Sequence, residues 1–333
     1  MRIKTGLIVV SAVSLCALTS AWSQALIPQR TSPAPPPAAK APAPAPTATT
    51  TTTATTTATA PAAAPAPTPL KTNCANPNAI GVGRVVAIDT TGGPGFGFEH
   101  FKQLDFLRDK EVVLTFDDGP WPVTTPSVLK TLADECTKAI FFPIGKHATY
   151  YPEILKQVAE QGHAIGSHTW SHANLNNKKM TEAQQKEEIE KGFSAVKWAL
   201  GSAPAPFFRF PALQHPPAMV TYLGERNISM WSCDLDSFDF KASTAQKIVD
   251  TVMSKLDKNG KGIVLMHDFQ KHTAEALPEL MKRLKAGGYK IVQVKAKAPV
   301  QTIAQYDEDV LKSAKLPTVS TRPLSSVVQT ISE

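Results

Sequence analysis

Two adjacent aspartates, Asp117 and Asp118, stand in the stretch VVLTFDDGPWPVTTP (residues 112–126), after a run of β-formers and before a Gly-Pro turn. Two carboxylates at the end of a strand that reads as buried repel each other unless a positive charge lies beside them. GSHTWSHANL (residues 166–175) sets His168 and His172 four positions apart. At that spacing two imidazoles on one face can share a metal ion. Two histidines and one carboxylate with a fourth position open form the ligand set of a catalytic zinc site. One aspartate can then bind the metal while its neighbour stays free as a base, and the cation relieves their repulsion. Taken singly, DDGP reads equally as a structural turn and HxxxH as a surface coincidence. Their shared position at strand ends argues against both bland readings.

Three further runs end on chemically useful side chains: FFRFPAL on Arg209, DLDSFDF on Asp236 and Asp239, and GIVLMHDF on His267. Each alone would be a surface or capping group. Gathered on one rim they form a constellation, and the elements between them must provide that rim.

Strand-like runs fall at 112–116, 139–144, 163–167, 207–210, 228–232, 263–267 and 290–294. Helical patterns separate them. Thr125-Pro126 reads as a cap followed by proline at the first helical position. Thr181 with Gln184 matches a capping box, followed by Ile189, Phe193, Val196 and Leu200 at helical spacing up to Gly201. Ile248, Val249, Val252 and Leu256 form another stripe, and Leu277, Leu280, Met281 and Leu284 a third that stops at Gly287-Gly288. This alternation predicts an α/β fold with a mainly parallel sheet. In such folds the C-terminal strand ends carry the chemistry.

The flanks differ from this domain. Arg2 and Lys4 precede an apolar run, Leu7 to Leu18, and Ser23-Gln24-Ala25 supplies small residues for cleavage; residues 1–25 therefore read as a secretory signal peptide. An uncleaved anchor is the alternative, although the run falls short of the ~20 residues that span a bilayer. Residues 26–72 read as a Pro/Ala/Thr-rich spacer: 31–69 hold 11 of the 28 prolines and no aromatic residue, too little to bury a core. The folded domain is expected over 73–297, with 298–333 a C-terminal extension carrying a short helix near Ile303 to Leu311. The formal charge is +7, or 7 − 2 = +5 without Arg2 and Lys4, and its positive groups are interspersed with acids. That pattern argues against nucleic acid as a partner. No obligate protein partner and no stable membrane span after signal cleavage are expected. Cys74, Cys136 and Cys233 remain beyond Cys16. One bridge is compatible with export, and at least two of the three are expected as small buried hydrophobes.

The motifs, in this order, resemble those of the polysaccharide deacetylases of the NodB type, carbohydrate esterase family four. Thr115 to Pro120 (TFDDGP) with Thr125-Pro126 and Leu129 resembles the first family motif, Ser167 to His172 (SHTWSH) the second, and Leu265 to His267 (LMH) the last. Lys138 to Gly145 and Leu284 to Tyr289 resemble weaker signatures. The resemblance covers roughly residues 112–294. It implies a distorted (β/α) barrel of about seven strands, a divalent metal on Asp118, His168 and His172, and Asp117 as catalytic base. It further implies that Arg209 holds Asp117, that His267 is the catalytic acid, and that Asp239 orients His267. Zinc is the expected ion, with cobalt or nickel as alternatives, because a metal lowers the pKa of its water from ~15.7 to about 7.

The implied substrate is an N-acetylated sugar polymer such as peptidoglycan or chitin. An O-acetyl esterase on the same site and a weakly catalytic polysaccharide-binding module are the alternatives. Ala212, Trp121 and Leu265 are candidate substrate contacts. Two departures from the family pattern stand out. Ala212 and Leu213 follow Pro211 where an aromatic residue is usual, which removes a groove wall and leaves the Ala212 N–H as oxyanion donor. Phe240 replaces the usual tryptophan beside His267. PALQHPP (residues 211–217) would reshape the groove, and the Gly-rich stretch 90–101 could overhang it. Trp170 is a further candidate for stacking on a sugar or for core packing.

Overall fold

The computed structural model describes residues 74–314. The expected signal peptide, the whole of the expected spacer and the end of the C-terminal extension lie outside the described residues. Among the described residues ten strands run in chain order. They are β1 (Arg84–Ile88), β2 (Gly95–Phe96), β3 (Glu111–Asp117), β4 (Ile140–Phe142), β5 (Ala164–Ile165), β6 (Phe207–Phe208), β7 (Ser229–Trp231), β8 (Leu235–Asp236), β9 (Gly262–His267) and β10 (Lys290–Ala296). The helices are α1 (Thr124–Asp134), α2 (Gly145–Tyr150), α3 (Pro152–Glu160), α4 (Glu182–Leu200), α5 (Pro217–Glu225), α6 (Ala245–Asn259), α7 (Lys271–Ala286) and α8 (Ala304–Ala314).

Every strand pairing is parallel. One sheet runs β1-β10-β3-β4-β5, with β9 also on β3 and β8 on β9; a second runs β2-β7-β6. A bridge between Ser167 and Phe208 joins the continuation of β5 to β6. The seven strands β3–β9 thus follow a barrel, distorted because no ladder pairs β7 with β8 among the described residues. This is the parallel α/β fold that the alternation predicts and the distorted barrel that the resemblance implies. The seven expected strands are all present. The additional β1, β2 and β8 carry little periodicity, since two of them are two residues long.

β3 explains the placement of the aspartates. Val112, Leu114 and Phe116 pack outward against the helices, in one cluster with Leu129 of α1 and Leu277 and Leu280 of α7. Val113 points inward with Ile140, Phe142, Phe207, Trp231 and Ile263. Both faces of β3 are buried, so the strand reads as a continuous apolar run, as parallel sheets do. The period of two then turns Thr115 and Asp117 into the barrel with Val113. On β9 the same alternation directs Ile263, Leu265 and His267 inward while Val264 and Met266 join the outer core. Each large apolar side chain buried here contributes about 1.5–3 kcal/mol.

α4 starts on the expected capping box, with Thr181 accepting from the Gln184 N–H, and ends at Gly201, whose φ of 72° suits glycine. The expected cap at Thr125 is corrected: α1 begins at Thr124 with no side-chain cap. Thr125 lies inside the first turn with its hydroxyl committed to Asp268. The cysteine expectation is also corrected. Cys74 and Cys136 form a disulfide with Cα atoms 5.7 Å apart, and among the described residues Cys233 is the one free thiol, and it is buried. A loop of this length restricts the unfolded chain by about 4 kcal/mol in the chain-entropy account.

The short C-terminal helix, α8, packs on α4 through the Lys197–Asp307 pair at 2.8 Å and the buried Val310. Val300 is buried with Phe208 and Phe210. The fold therefore continues beyond the expected boundary at 297. No helix among the described residues is long and apolar enough to cross a membrane.

Candidate active site

The C-terminal ends of β3, β5, β6, β8 and β9 open into one cleft of about 470 Å³ whose walls include Asp117, His172, His267, Ala212, Leu265 and Phe240. Asp118, His168 and Asp236 line it as well.

Asp117, the last residue of β3, has the positive partner that its burial demands. Arg209 follows β6 and is fully buried. Its Nη1 donates to Asp117 Oδ1 at 2.8 Å and to Thr115 Oγ1 at 2.7 Å. Its Nε and Nη2 donate to the carbonyls of Trp231 and Ser232, and the guanidinium lies 4.5 Å over the Phe142 ring. A guanidinium keeps its charge at any working pH, so Asp117 has a fixed counter-charge. Removing one partner of such a pair costs about 3–5 kcal/mol.

Asp118 departs from the strand direction with φ 74°, a left-handed conformation that aspartate tolerates better than most residues. Its Oδ1 lies 3.6 Å from His168 Nε2 and 3.4 Å from His172 Nε2. One donor atom from each of the three residues falls within 4.8 Å of the others. Asp118 Oδ1 is buried with no hydrogen-bond partner, a costly state for a carboxylate oxygen. The Nδ1 of His168 lies 2.7 Å from the Arg209 carbonyl. A carbonyl can only accept, so Nδ1 carries the proton and Nε2 keeps its lone pair. Burial pushes the His168 pKa down, although the charges of Asp117 and Asp118 pull it up; a neutral ring is the form that can serve as a metal ligand. Orphaned oxygen, free lone pair and carboxylate–imidazole chemistry fit a divalent metal.

The two histidines do not share a helical face, as their spacing suggested. They lie in a turn after β5, with φ of 66° at Thr169 and 60° at His172. Ala212, Leu213 and Phe238, also beside the cleft, have φ of 52° each. Non-glycine residues in this region concentrate at functional sites.

His267 stands beside Asp117 at the end of β9. Its Nδ1 lies 2.6 Å from Asp239 Oδ1, and its backbone N–H donates to Asp239 Oδ2 at 2.7 Å. Thr273 Oγ1 donates to the same Oδ2 at 2.5 Å. Burial alone would lower the His267 pKa, but the Asp239 bond and charge, with Asp117 and Asp118, outweigh it and raise the value to about 9. That shift favours the cationic ring at neutral pH. Phe240 meets it edge-on with centroids 5.7 Å apart.

Of the candidate substrate contacts, Ala212 and Leu265 line the cleft and Trp121 does not. Trp121 is 38% exposed on the adjoining surface, against His147 at 5.1 Å and Tyr151 at 5.5 Å. Trp170 is half-buried beneath Lys191 and against Gly145, which is packing. The Gly-rich stretch reaches the site, with Glu99 and His100 on the cleft wall. Sequence reasoning missed the roles of Thr115, Thr273 and Asp268, which support the site from behind. Single threonines carry no signal, while Asp268 stood next to His267 in the chain.

A parallel barrel bearing Asp118, His168 and His172, flanked by an arginine-held carboxylate and a carboxylate-held histidine, has the architecture of a metal-assisted hydrolase. Residues 106–231 match the family described as "Polysaccharide deacetylase". A peptidoglycan-N-acetylglucosamine deacetylase of Bacillus cereus is 31% identical over 201 residues, covering 56% of this chain and 87% of that protein. The peptidoglycan-N-acetylmuramic acid deacetylase PdaC of Bacillus subtilis is 32% identical over 201 residues, covering 56% of this chain; the match spans 38% of PdaC. Among solved structures, the Bdellovibrio bacteriovorus peptidoglycan deacetylase Bd3279 superposes with a TM-score of 0.58 at 31% identity, covering 65% of this chain and 59% of that one. The chain belongs to the polysaccharide deacetylase family.

Proposed function

We propose that this chain is an exported, metal-dependent deacetylase that hydrolyses acetamido groups of N-acetylated sugars in a cell-envelope polymer. The observation that carries the reading is the pairing of Asp117 and His267 side by side on adjacent strands at one cleft, with Asp118, His168 and His172 beside them. A divalent ion on those three residues, zinc being the proposed one, supplies a Lewis acid that polarises the acyl oxygen and makes water nucleophilic at neutral pH.

The remaining chemistry belongs to the chain. Arg209 occupies Asp117 Oδ1, so Oδ2 is the oxygen that takes a proton from the attacking water. The Ala212 N–H at the cleft wall donates to the developing oxyanion. An amine departs poorly unless protonated; His267, held cationic by Asp239, gives it the proton through Nε2. The apolar surfaces of Leu265 and Phe240 exclude water and seat the sugar. Trp121 offers an aromatic face to a ring of the polymer beyond the cleft. Acetate release from N-acetylglucosamine oligomers, measured beside acetylated xylan, tests the reading: release from the amide substrate supports it, and release from the ester alone replaces it with an esterase.

A further inference from the structure

The mechanism above makes no use of Asp268, although its side chain is fully enclosed behind the site. It is 1% exposed, and both carboxylate oxygens face the loop that carries the aspartate pair. Oδ1 accepts the Gly119 N–H at 3.0 Å, and Oδ2 accepts the Thr125 hydroxyl at 2.5 Å. The Thr125 oxygen in turn accepts the Trp121 N–H at 2.8 Å. Asp268 also donates its own backbone N–H to the Asp117 carbonyl at 3.3 Å. The approach is so close that a Cβ at position 119 would stand 2.0 Å from Asp268 Oδ2. One residue thus clamps the backbone on both sides of Asp118 while being covalently next to His267.

We infer that Asp268 is a positioning residue which, through Gly119 and Thr125, fixes Asp118 and Asp117 relative to His267. Two facts support this over simple core filling. A carboxylate in this position is unfavourable in itself: burial, opposed in part by the Thr125 and Gly119 bonds, pushes its pKa up to about 7. A hydrophobic residue would fill the space without that cost. The constrained segment is also the one that needs constraint, since Asp118 sits at φ 74° and must meet two histidines from a different strand end. Groups that orient metal ligands from behind govern affinity as well as rate.

The inference rests on the deacetylase reading for its kinetic consequence, and on metal binding alone for its second. The experiment compares wild type, Asp268→Asn, Thr125→Val and Thr125→Ser, each checked for native circular dichroism. Zinc affinity is measured by chelator competition on metal-free protein, and kcat and KM on N-acetylglucosamine oligomers. An asparagine can accept from only one of the two donors, and valine removes the hydroxyl at constant shape. Folded Asp268→Asn and Thr125→Val are expected to bind zinc roughly 10–100-fold more weakly and to lose kcat with KM little changed, while Thr125→Ser restores both relative to valine. Wild-type zinc affinity and kcat in folded variants, whatever their melting temperature, would overturn the inference. If Asp268→Asn does not fold, Thr125→Val decides. If wild type releases no acetate, the deacetylase reading fails and the zinc affinities alone decide this one.

Discussion

Asp117 and His267 are register partners: β3 and β9 pair in parallel with these two residues opposite each other at the end of the ladder. Both project inward, and each is fixed from behind by a residue of opposite charge, Arg209 at 2.8 Å and Asp239 at 2.6 Å. The proposed base and the proposed acid are thereby held on adjacent strands without depending on a flexible loop. Side chains placed on rigid strands keep the tight tolerances that proton transfer needs.

If the two act in one reaction as proposed, their losses should not add. Asp117→Asn and His267→Asn are each expected to lower kcat by roughly 10²–10⁴-fold, and the double variant should fall little further than the worse single one. Steady-state kinetics on one defined oligomer checks both statements.

The pH profile should report His267. Raised to about 9, the ring stays protonated at neutral pH, and activity should fall as pH rises through its folded value. A cation on Asp118 offsets part of that carboxylate's contribution and leaves Asp239 as the main support. Asp239→Asn should therefore move the alkaline limb of kcat/KM towards the ordinary histidine value near 6.5. Stability follows the same sign: the contribution of the His267–Asp239 pair is complete below about 6.5 and is lost as pH rises through about 9. Thermal melts of wild type and Asp239→Asn between pH 6 and pH 10 would show the difference between them shrinking.

The two histidine ligands should separate by experiment. The side chain of His168 is 3% exposed and that of His172 is 40% exposed. Replacing either with alanine should weaken zinc binding strongly. Only His168→Ala should also lower the melting temperature clearly, because it leaves a cavity and an unpaired Arg209 carbonyl. Calorimetric zinc titration beside thermal melts tests this.

Trp121 lies outside the cleft, so its removal should depend on substrate length. Trp121→Ala is expected to raise KM several-fold on a long polymer and to leave turnover of the shortest cleaved oligomer unchanged. Stacking of one ring contributes about 0.5–1.5 kcal/mol beyond its buried area. Equal effects on both substrates would remove Trp121 from the binding surface.

The sequence made the strand ends legible because each bears an unusual polar group after a buried run: Asp117 after Phe116, Arg209 after Phe208, His267 after Met266. Their convergence needed the barrel, which the family resemblance implied, while the alternation of strands and helices gave only a mainly parallel α/β sheet. The backbone between them was less legible. A four-residue spacing suits a helix, yet His168 and His172 reach Asp118 through a turn with two left-handed residues. Thr125 beside Pro126 has the composition of a cap, but the buried carboxylate of Asp268, just after β9, competes for its hydroxyl and wins. The Cys74–Cys136 bridge spans 62 residues, and no local pattern announces a pairing at that range. β2 and β8, two residues each, are set by neighbouring strands rather than by their own periodicity.

The central claim is that Asp117 does the work of a base beside a metal held by Asp118, His168 and His172. The most direct measurement is acetate release from peptidoglycan and N-acetylglucosamine oligomers by the zinc-loaded protein, the chelator-treated protein, and zinc-loaded Asp117→Asn. Release that disappears with the chelator, returns with zinc, and is lost in Asp117→Asn despite normal zinc binding is the predicted result. Undiminished release by Asp117→Asn, or by the metal-free protein, would contradict it.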